Sequence, residues 1–137
     1  MEMKLELVIL PVADVDRAKA FYTERLGFAV DVDHKTGESF RIVQLTPPGS
    51  ACSIAVGVGI TDADPGSVRG LHLVVTDIVA TREALVEQGA EVGAVRHMGP
   101  GGWEDGPHPD RDDYGSFAQL ADPDGNTWLL QERGHQT

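Results

Sequence analysis

The sequence predicts an α+β fold of two tandem βαβββ modules that form a cupped mixed sheet around a central cavity. Two internal matches carry this prediction. The segment "LPVADVDRAKAFY" aligns with "LVVTDIVATREAL", which places Asp14 on Asp77. The segment "QLTPPGS" aligns with "QLADPDGN", which places Gln44 on Gln119. Because both matches occur in the same order, they indicate an internal repeat of about 60 residues.

The first module opens with "KLELVIL", whose alternation of polar and apolar residues predicts a half-buried strand. Asp14 follows and can accept a hydrogen bond from a free amide of a first helical turn. Apolar residues then recur at helical spacing on one face, and Gly27 can take the left-handed conformation that ends a helix. Three strands are predicted after it, over residues 28 to 33, 39 to 45 and 51 to 58.

The second module repeats this order from residue 69. Asp77 is the predicted helix cap, Ile78, Leu85 and Val86 form the apolar face, Arg82 contributes only its aliphatic stem, and Gly89 ends the helix. Its three later strands are predicted over residues 91 to 96, 116 to 121 and 126 to 132. The whole chain, 1–137, is therefore expected to be one domain, with module 1 at 3–58, a linker at 59–68 and module 2 at 69–132.

A cavity follows from this architecture on physical grounds. One helix covers only one face of a four-stranded sheet, so two such sheets set side by side would leave a concave face free to enclose a small molecule. The sequence therefore predicts a central ligand site.

Composition excludes several classes of partner. The chain has 22 acidic and 11 basic residues and a net charge of −11, a surface that repels phosphate backbones and argues against nucleic acid. No apolar run approaches the roughly 20 residues of a membrane span, so no membrane partner is expected. The charged start "MEMKLELVIL" does not resemble a secretory signal, and the single Cys52 can form no internal disulfide. We therefore expect a cytoplasmic protein.

The pattern V-x-D-x-x-R-A-x-A-F-Y-x-x-x-L-G-F after the opening strand and the "DPDGN" turn before the closing strand resemble the vicinal oxygen chelate superfamily. That superfamily includes glyoxalase I, extradiol dioxygenases, fosfomycin-resistance enzymes and bleomycin-resistance binding proteins. The resemblance covers residues 3 to 132. Its motifs are helix caps, core residues and turns, so they are specific for the fold and weak for the activity.

The resemblance also implies where a metal would be bound in this family. Its metal-dependent members place ligands on the opening and closing strands, at positions that correspond here to Leu7, Ser53, Gly70 and Leu129. Leu and Gly side chains offer no lone pair, and one serine cannot hold a divalent ion. We therefore expect no metal site and no cofactor. A weak metal site of two neutral ligands, His72 and Gln131, is left open.

The side chains expected to face the cavity are candidates for ligand binding. His72 lies two residues after Gly70, on the same predicted strand face, and Ile9 is its counterpart in the first module. The histidine could orient a ligand by hydrogen bonding or accept a proton, or it could be a histidine that only hydrogen-bonds within the sheet. The predicted ligand-binding residues are His72, Leu7, Ile9, Ser53, Leu129, Gln131 and Trp103.

Trp103 enters that set because of its position in a segment rich in glycine, proline and acidic residues, "HMGPGGWEDGPHPDRDDYG". The part from Gly99 to Gly115 is predicted to form no regular element. Trp103 could fold over an apolar ligand as part of a lid, or it could pack the segment onto the protein or onto a second subunit. His97, His108 and the acidic residues of the segment match no ligand motif, so a solvated acidic loop is predicted.

The sequence favours a small-molecule-binding protein of the glyoxalase/bleomycin-resistance type, without the usual metal site, that binds an apolar or aromatic ligand. The alternative is a metal-dependent glyoxalase-like lyase or ring-cleaving dioxygenase; a metal-free enzyme that uses His72 and a regulatory domain are further alternatives. The resemblance also implies a homodimer. No residue set in the chain identifies the ligand.

Overall fold

The computed structural model describes residues 1–136, which form two compact units. The first unit comprises Met1–Val68 and the turn Asp122–Asn126, and the second comprises Arg69–Ala121 and the residues from Thr127 onward. Each unit holds one helix and one mixed sheet, so the predicted α+β fold of tandem modules is confirmed.

The sheet of the first unit has the strand order β1-β4-β3-β2. Its strands are β1 (Leu7–Ile9), β2 (Ala29–Thr36), β3 (Phe40–Thr46) and β4 (Ser53–Val58). β1 pairs parallel to β4, and the other pairs are antiparallel. The register of β2 shifts between Val30 and Val32, which is a β-bulge at Asp31.

Helix α1 (Val15–Ala20) begins as predicted, because the Asp14 carboxylate accepts a hydrogen bond from the Arg17 amide at 3.1 Å. It continues as a π-helical turn over Phe21–Arg25, in which the Leu26 amide donates to the Phe21 carbonyl five residues back. Gly27 then takes a φ of +74°, the left-handed conformation that the sequence predicts for the end of this helix.

The sheet of the second unit has five strands in the order β5-β9-β8-β6-β7. They are β5 (Leu71–Val75), β6 (Arg96–Gly99), β7 (Gly102–Asp105), β8 (Ser116–Ala121) and β9 (Thr127–Glu132). Helix α2 (Ile78–Glu87) packs on β8 and β9. Asp77 caps it by accepting from the Ala80 amide, and Gly89 has a φ of +93°, so both predicted ends are confirmed.

Two predictions about this unit are wrong. The segment from Gly99 to Gly115, predicted to be irregular, contains β7 and the end of β6, which form a hairpin around Gly99–Gly102. The strand predicted over residues 91 to 96 is reduced to an isolated bridge between Val92 and Leu120, and β6 begins only at Arg96. Because β6 and β7 are short and lie beside glycines, their alternation is too brief to stand out in the sequence.

Arg82 also differs from its predicted role. Its guanidinium donates hydrogen bonds to the carbonyls of Gly93 and Val92, at 2.7 and 3.0 Å, so the head group as well as the stem is used. These bonds satisfy two carbonyls in the chain between α2 and β6.

The "DPDGN" turn, Asp122–Asn126, is built into the first unit by buried hydrogen bonds. Asn126 is fully buried and donates to the Pro11 carbonyl at 3.0 Å and to the Asp122 carboxylate at 2.8 Å, while its oxygen accepts from the Val68 amide. The Tyr22 hydroxyl donates to the same carboxylate at 2.7 Å. The turn is therefore a structural element of the first unit's core.

Within the described residues 1–136, the structure contains no helix with the length and apolar character needed to cross a membrane.

Candidate ligand-binding face of the second sheet

One face of the second sheet is covered and the other is exposed. Along β9, Trp128, Leu130 and Glu132 are buried, whereas Leu129 and Gln131 alternate with them and are partly exposed. The register carries this alternation across the sheet, because His72 lies opposite Leu129 and Phe117 lies opposite Gln131. We call the face that α2 leaves uncovered the open face; it carries His72, Val74, Arg96, Met98, Trp103, Phe117, Gln119, Leu129 and Gln131.

An aromatic pair occupies the β7 and β8 end of the open face. The rings of Trp103 and Phe117 meet edge to face with their centroids 5.5 Å apart. The Arg96 guanidinium lies 5.2 Å from the centroid of the Trp103 ring, within the range of a cation–π contact. Trp103 is nevertheless 50% exposed, so a large apolar surface faces solvent on a regular strand.

A polar pair occupies the β5 and β9 end. The Nδ1 atom of His72 lies 2.9 Å from the Oε1 atom of Gln131, and the Nε2 atom of Gln131 donates to the Tyr114 carbonyl at 3.3 Å. His72 is exposed and Gln131 is partly buried. Glu132 points to the opposite face, as the alternation of strand side chains predicts.

The predicted site residues therefore fall into two groups. His72, Leu129, Gln131 and Trp103 share the open face of the second sheet. Leu7, Ile9 and Ser53 lie in the first unit, where Leu7 is the strand neighbour of Ser53 and Ile9 that of Ala55. Ser53 is buried, and its hydroxyl lies 2.6 Å from that of Thr46, which in turn donates to the Asp31 carboxylate.

The positions that the family would use for a metal do not fit a divalent ion. Leu7 and Leu129 have hydrocarbon side chains, and Gly70 lies before β5 with a φ of +75° and has no side chain at all. Only the Ser53 hydroxyl offers a lone pair, and it is already hydrogen-bonded. A divalent ion requires several carboxylate or imidazole donors, so we derive no chemistry through a metal at these positions.

Two other clusters in the described part of the chain each bring together three residues of the types that bind metals. Asp77, Glu132 and His135 form one, and His108, Asp110 and Asp112 form the other. In the first cluster the Arg111 guanidinium already bonds both carboxylates, at 3.4 Å to Asp77 and 2.6 Å to Glu132. In the second, both carboxylates are exposed and the His108 Nδ1 atom accepts from the Asp110 amide at 3.1 Å.

The residues that hold the segment before β8 in place are not among the predicted site residues. We call residues 106–115 the strap. Arg111 and Tyr114 both have positive φ values, +51° and +63°, which are uncommon for residues other than glycine. Arg111 donates two hydrogen bonds to the Glu132 carboxylate, from Nε at 2.8 Å and from Nη2 at 2.6 Å, and the Tyr114 amide donates to the Glu132 carbonyl at 2.7 Å. The strap is therefore fastened to the end of β9.

One signal in the sequence could have indicated this attachment. Glu132 falls at a position of β9 where Trp128 and Leu130 are buried, so the alternation places a carboxylate inside the unit. A buried carboxylate requires a cation or several hydrogen-bond donors. Nothing in the sequence identifies Arg111, 21 residues earlier, as the cation that provides them.

The electrostatics of this attachment favour the charged forms of both Arg111 and Glu132. The Arg111 guanidinium, together with the Ile78 amide that donates to the same carboxylate at 2.9 Å, lowers the pKa of Glu132 below its ordinary range. Hydrogen bonding to Glu132 raises the pKa of Arg111. The Ala80 amide and, to a smaller extent, the charge of Arg111 lower the pKa of Asp77.

A family model and several solved structures are similar to this chain. The chain matches the family model of the Glyoxalase/Bleomycin resistance protein/Dioxygenase superfamily over residues 4–130. It is 32% identical to TnmS3, an antibiotic binding protein from Streptomyces sp. CB03234, with 96% of each chain covered and a TM-score of 0.74. It is 33% identical to a glyoxalase/bleomycin resistance protein from the same organism, with 93% of this chain and 99% of that one covered and a TM-score of 0.70.

Among curated proteins, the chain is 26% identical over 132 residues to YetH of Bacillus subtilis (strain 168), an uncharacterized protein, with 96% of this chain and all of that one covered. The family match spans nearly the whole chain and includes the helix caps, the "DPDGN" turn and the first four residues of the closing strand. The chain therefore belongs to the Glyoxalase/Bleomycin resistance protein/Dioxygenase superfamily.

Proposed function

We propose that this chain is a small-molecule-binding protein of the glyoxalase/bleomycin-resistance type, and that it binds an apolar or aromatic ligand against the open face of the second sheet without a metal. The observation that carries the proposal is the aromatic pair Trp103 and Phe117. A half-exposed tryptophan on a strand, edge to face with a phenylalanine, offers a ligand an apolar platform that would bury surface at about 25 cal/mol per Å².

The similarity to TnmS3 supports the same class of function. That relative is an antibiotic binding protein, and it is similar to this chain over nearly its full length. A binding protein needs only a platform, apolar contacts and a few polar groups that orient the ligand. His72 and Gln131 supply such polar groups on the same face.

A metal-dependent lyase or dioxygenase is the less favoured function because of the donor set. The family's metal positions hold Leu7, Ser53, Gly70 and Leu129 here, which together offer one hydroxyl. Elemental analysis of protein purified without chelator tests this directly, and we expect no stoichiometric transition metal. A stoichiometric ion that restored turnover would overturn the metal-free proposal.

Tryptophan fluorescence tests the proposed binding, because the chain has one exposed tryptophan and one buried tryptophan that serves as a reference. Trp103 is 50% exposed on the open face, whereas Trp128 is 3% exposed on the covered face. We expect naphthol and related aromatic compounds to quench Trp103 saturably, and the Trp103→Phe variant, which keeps Trp128, to lose that quenching.

A matched variant separates the open face from non-specific binding. Val86, which the sequence predicts on the apolar face of α2, is 44% exposed instead. Val86→Ala changes a position away from the open face and should leave quenching unchanged. If no aromatic compound quenches Trp103, or if Trp103→Phe quenches as the wild type does, the proposed site is wrong.

A further inference from the structure

Gln131 connects the strap to His72. The orientation of its side-chain amide follows from which of the neighbouring atoms can donate a hydrogen bond and which can only accept one. Its Nε2 atom lies 3.3 Å from the Tyr114 carbonyl oxygen, which can only accept a hydrogen bond. The amide must therefore present its NH2 group to Tyr114, because the reverse orientation would place two acceptor oxygens against each other. The Oε1 atom of Gln131 then faces His72.

This orientation selects the tautomer of His72. An amide oxygen can only accept, so the Nδ1 atom of His72, 2.9 Å from Oε1, must carry the proton. A neutral imidazole has one N–H group. The Nε2 atom consequently keeps its lone pair, and within the part of the chain that the structure describes it has no protein partner.

The strap fixes the carbonyl on which this chain of hydrogen bonds depends. Tyr114 has a φ of +63°, a conformation that a tyrosine adopts only when its surroundings impose it. The Tyr114 amide donates to the Glu132 carbonyl at 2.7 Å, and the Arg111–Glu132 ion pair holds the preceding turn of the strap. Arg111 thus bonds the Glu132 side chain on the covered face of β9. The Tyr114 carbonyl accepts from the Gln131 side chain on the open face.

We propose that the strap, through Gln131, makes His72 a fixed hydrogen-bond acceptor on the open face, so that the protein prefers aromatic ligands that carry a hydrogen-bond donor. The ligand class is a hydroxylated aromatic compound, whose ring contacts the apolar side chains of the open face while its O–H donates to the His72 Nε2 atom. This inference rests on the proposed function for the location of the ligand. Gln131 acts through His72 and is a positioning residue.

Nitrogen-15 NMR of the histidine ring tests the tautomer without any ligand. At a pH well above the ordinary histidine pKa of about 6.5, we expect His72 to show a protonated Nδ1 and an unprotonated Nε2. In Gln131→Leu we expect a mixture in which the Nε2–H form is populated. Gln119→Leu, a matched change on the same face, should leave the His72 signals as in the wild type.

The result that overturns the tautomer assignment is an Nε2–H form in the wild type, or a His72 spectrum that Gln131→Leu does not alter. If Gln131→Leu does not fold, Gln131→Met, which keeps the length of the side chain, takes its place. A merely structural role for Gln131 would change stability and leave the tautomer of His72 as it is.

A second experiment tests the ligand preference with naphthol and its methyl ether, which share the ring system and differ in the hydroxyl donor. We expect naphthol to bind about three- to tenfold more tightly than its methyl ether, as measured by quenching of Trp103. This difference corresponds to the net contribution of one hydrogen bond. In His72→Phe the two compounds should bind equally, and in Gln131→Leu the ratio should fall.

The two proposals fail in distinguishable ways. If both compounds bind the wild type equally, the donor preference is wrong and the apolar binding site stands. If neither compound quenches Trp103, the proposed function fails and the donor preference falls with it, while the NMR measurement still decides the tautomer.

Discussion

Glu132 is a buried carboxylate whose three hydrogen-bond donors come from two different elements. Arg111 donates from the strap and Ile78 from the first turn of α2, so one side chain joins the strap, the helix and the end of β9. Its side chain is fully buried, whereas that of Arg111 is 21% exposed. Removal of Arg111 should therefore cost more folding stability than removal of Glu132, because it would leave the buried Glu132 charge without its cation.

Arg111→Ala should lower the free energy of unfolding by about 3 kcal/mol, near the lower end of what removal of one partner of a buried pair costs. The reason is that Glu132 would keep only the Ile78 amide as a donor. Urea unfolding followed by circular dichroism measures the effect.

Lys35→Ala is the control for this change, since Lys35 pairs with Glu38 in an exposed ion pair worth about 0 to 1 kcal/mol. Equal losses in the two variants would show that the Arg111–Glu132 pair contributes no more than a surface contact.

The same carboxylate predicts a pH dependence of stability. Because the folded state lowers the pKa of Glu132 below its ordinary value of 4.5, the unfolded state binds more protons on the acidic side of that value. The contribution of Glu132 is therefore fully present above that pH and is lost as the pH falls through the lowered pKa of the folded state.

Glu132→Gln tests this dependence. The difference in free energy of unfolding between wild type and Glu132→Gln should be largest near neutral pH and should shrink on acidification. Glu38→Gln, which changes a carboxylate at an exposed position, is the control variant for this comparison. A difference for Glu132→Gln that stays constant across the acidic range would contradict the assignment.

At the scale of elements, the "DPDGN" turn shows how a loop becomes part of a core. Its backbone approaches Gly66 so closely that a Cβ atom on Gly66 would lie 2.0 Å from the Asp124 carbonyl oxygen. Gly66 also donates its amide to the Pro11 carbonyl, and Asn126 donates to that same carbonyl. Pro11, Gly66 and the turn therefore form one interlocked element of the first unit.

Gly66→Ala should destabilise the protein much more than Gly37→Ala. Both glycines have positive φ values, +80° and +63°, so both variants incur the left-handed strain of about 1 kcal/mol. Only the Cβ atom at position 66 meets backbone atoms, whereas position 37 is open. The difference between the two midpoints of thermal unfolding isolates the steric clash, and equal midpoints would show that the turn can move aside.

The ends of helix α1 are determined by residues within the helix region, whereas its interior depends on a contact with a residue distant in sequence. Its cap at Asp14 and its end at Gly27 follow from the side chains themselves. The π-helical turn over Phe21–Arg25 instead accompanies the burial of Tyr22, whose hydroxyl donates to Asp122, 100 residues later.

At the scale of the whole molecule, both sheets leave apolar side chains exposed. Ile9 and Val32 in the first unit and Val74 and Trp103 in the second are 38% to 54% exposed. Large exposed apolar surfaces mark interaction sites, and a second copy of the chain offers the same surfaces. We therefore propose a homodimer.

Light scattering coupled to size exclusion tests this proposal, and we expect a mass twice the 14.7 kDa of the chain. Dilution should shift the mass towards the monomer, since association depends on concentration. A mass of 14.7 kDa at every concentration would rule the dimer out.

The fold could be predicted from the sequence because its signals are local and occur twice. The cap residues Asp14 and Asp77, the helix-ending Gly27 and Gly89 and the alternating strand β9 each act over a few residues. The β6–β7 hairpin could not be predicted in this way. Its pairing of Met98 with Trp103 depends on a glycine turn and on β8, beside which β6 lies.

In the candidate site, too, some positions follow from local sequence signals and others do not. Strand alternation placed His72, Leu129 and Gln131 on one face and Glu132 on the other, since the side-chain period of a strand is two. The sequence predicts Trp103 in an irregular segment, either as part of a lid or packed onto the protein or a second subunit, whereas in the structure it lies on a strand beside Phe117. Contacts between residues distant in sequence decided that position.

The sequence by itself determined the family and the two helices with their ends, because these depend on residue type and short spacing. Only the tertiary structure decided that the Arg111–Glu132 pair fastens the strap and that Gln131 orients His72. The physical reason is that a hydrogen-bond partner 17 or 59 residues away is set by the packing of strands, and no local periodicity encodes it.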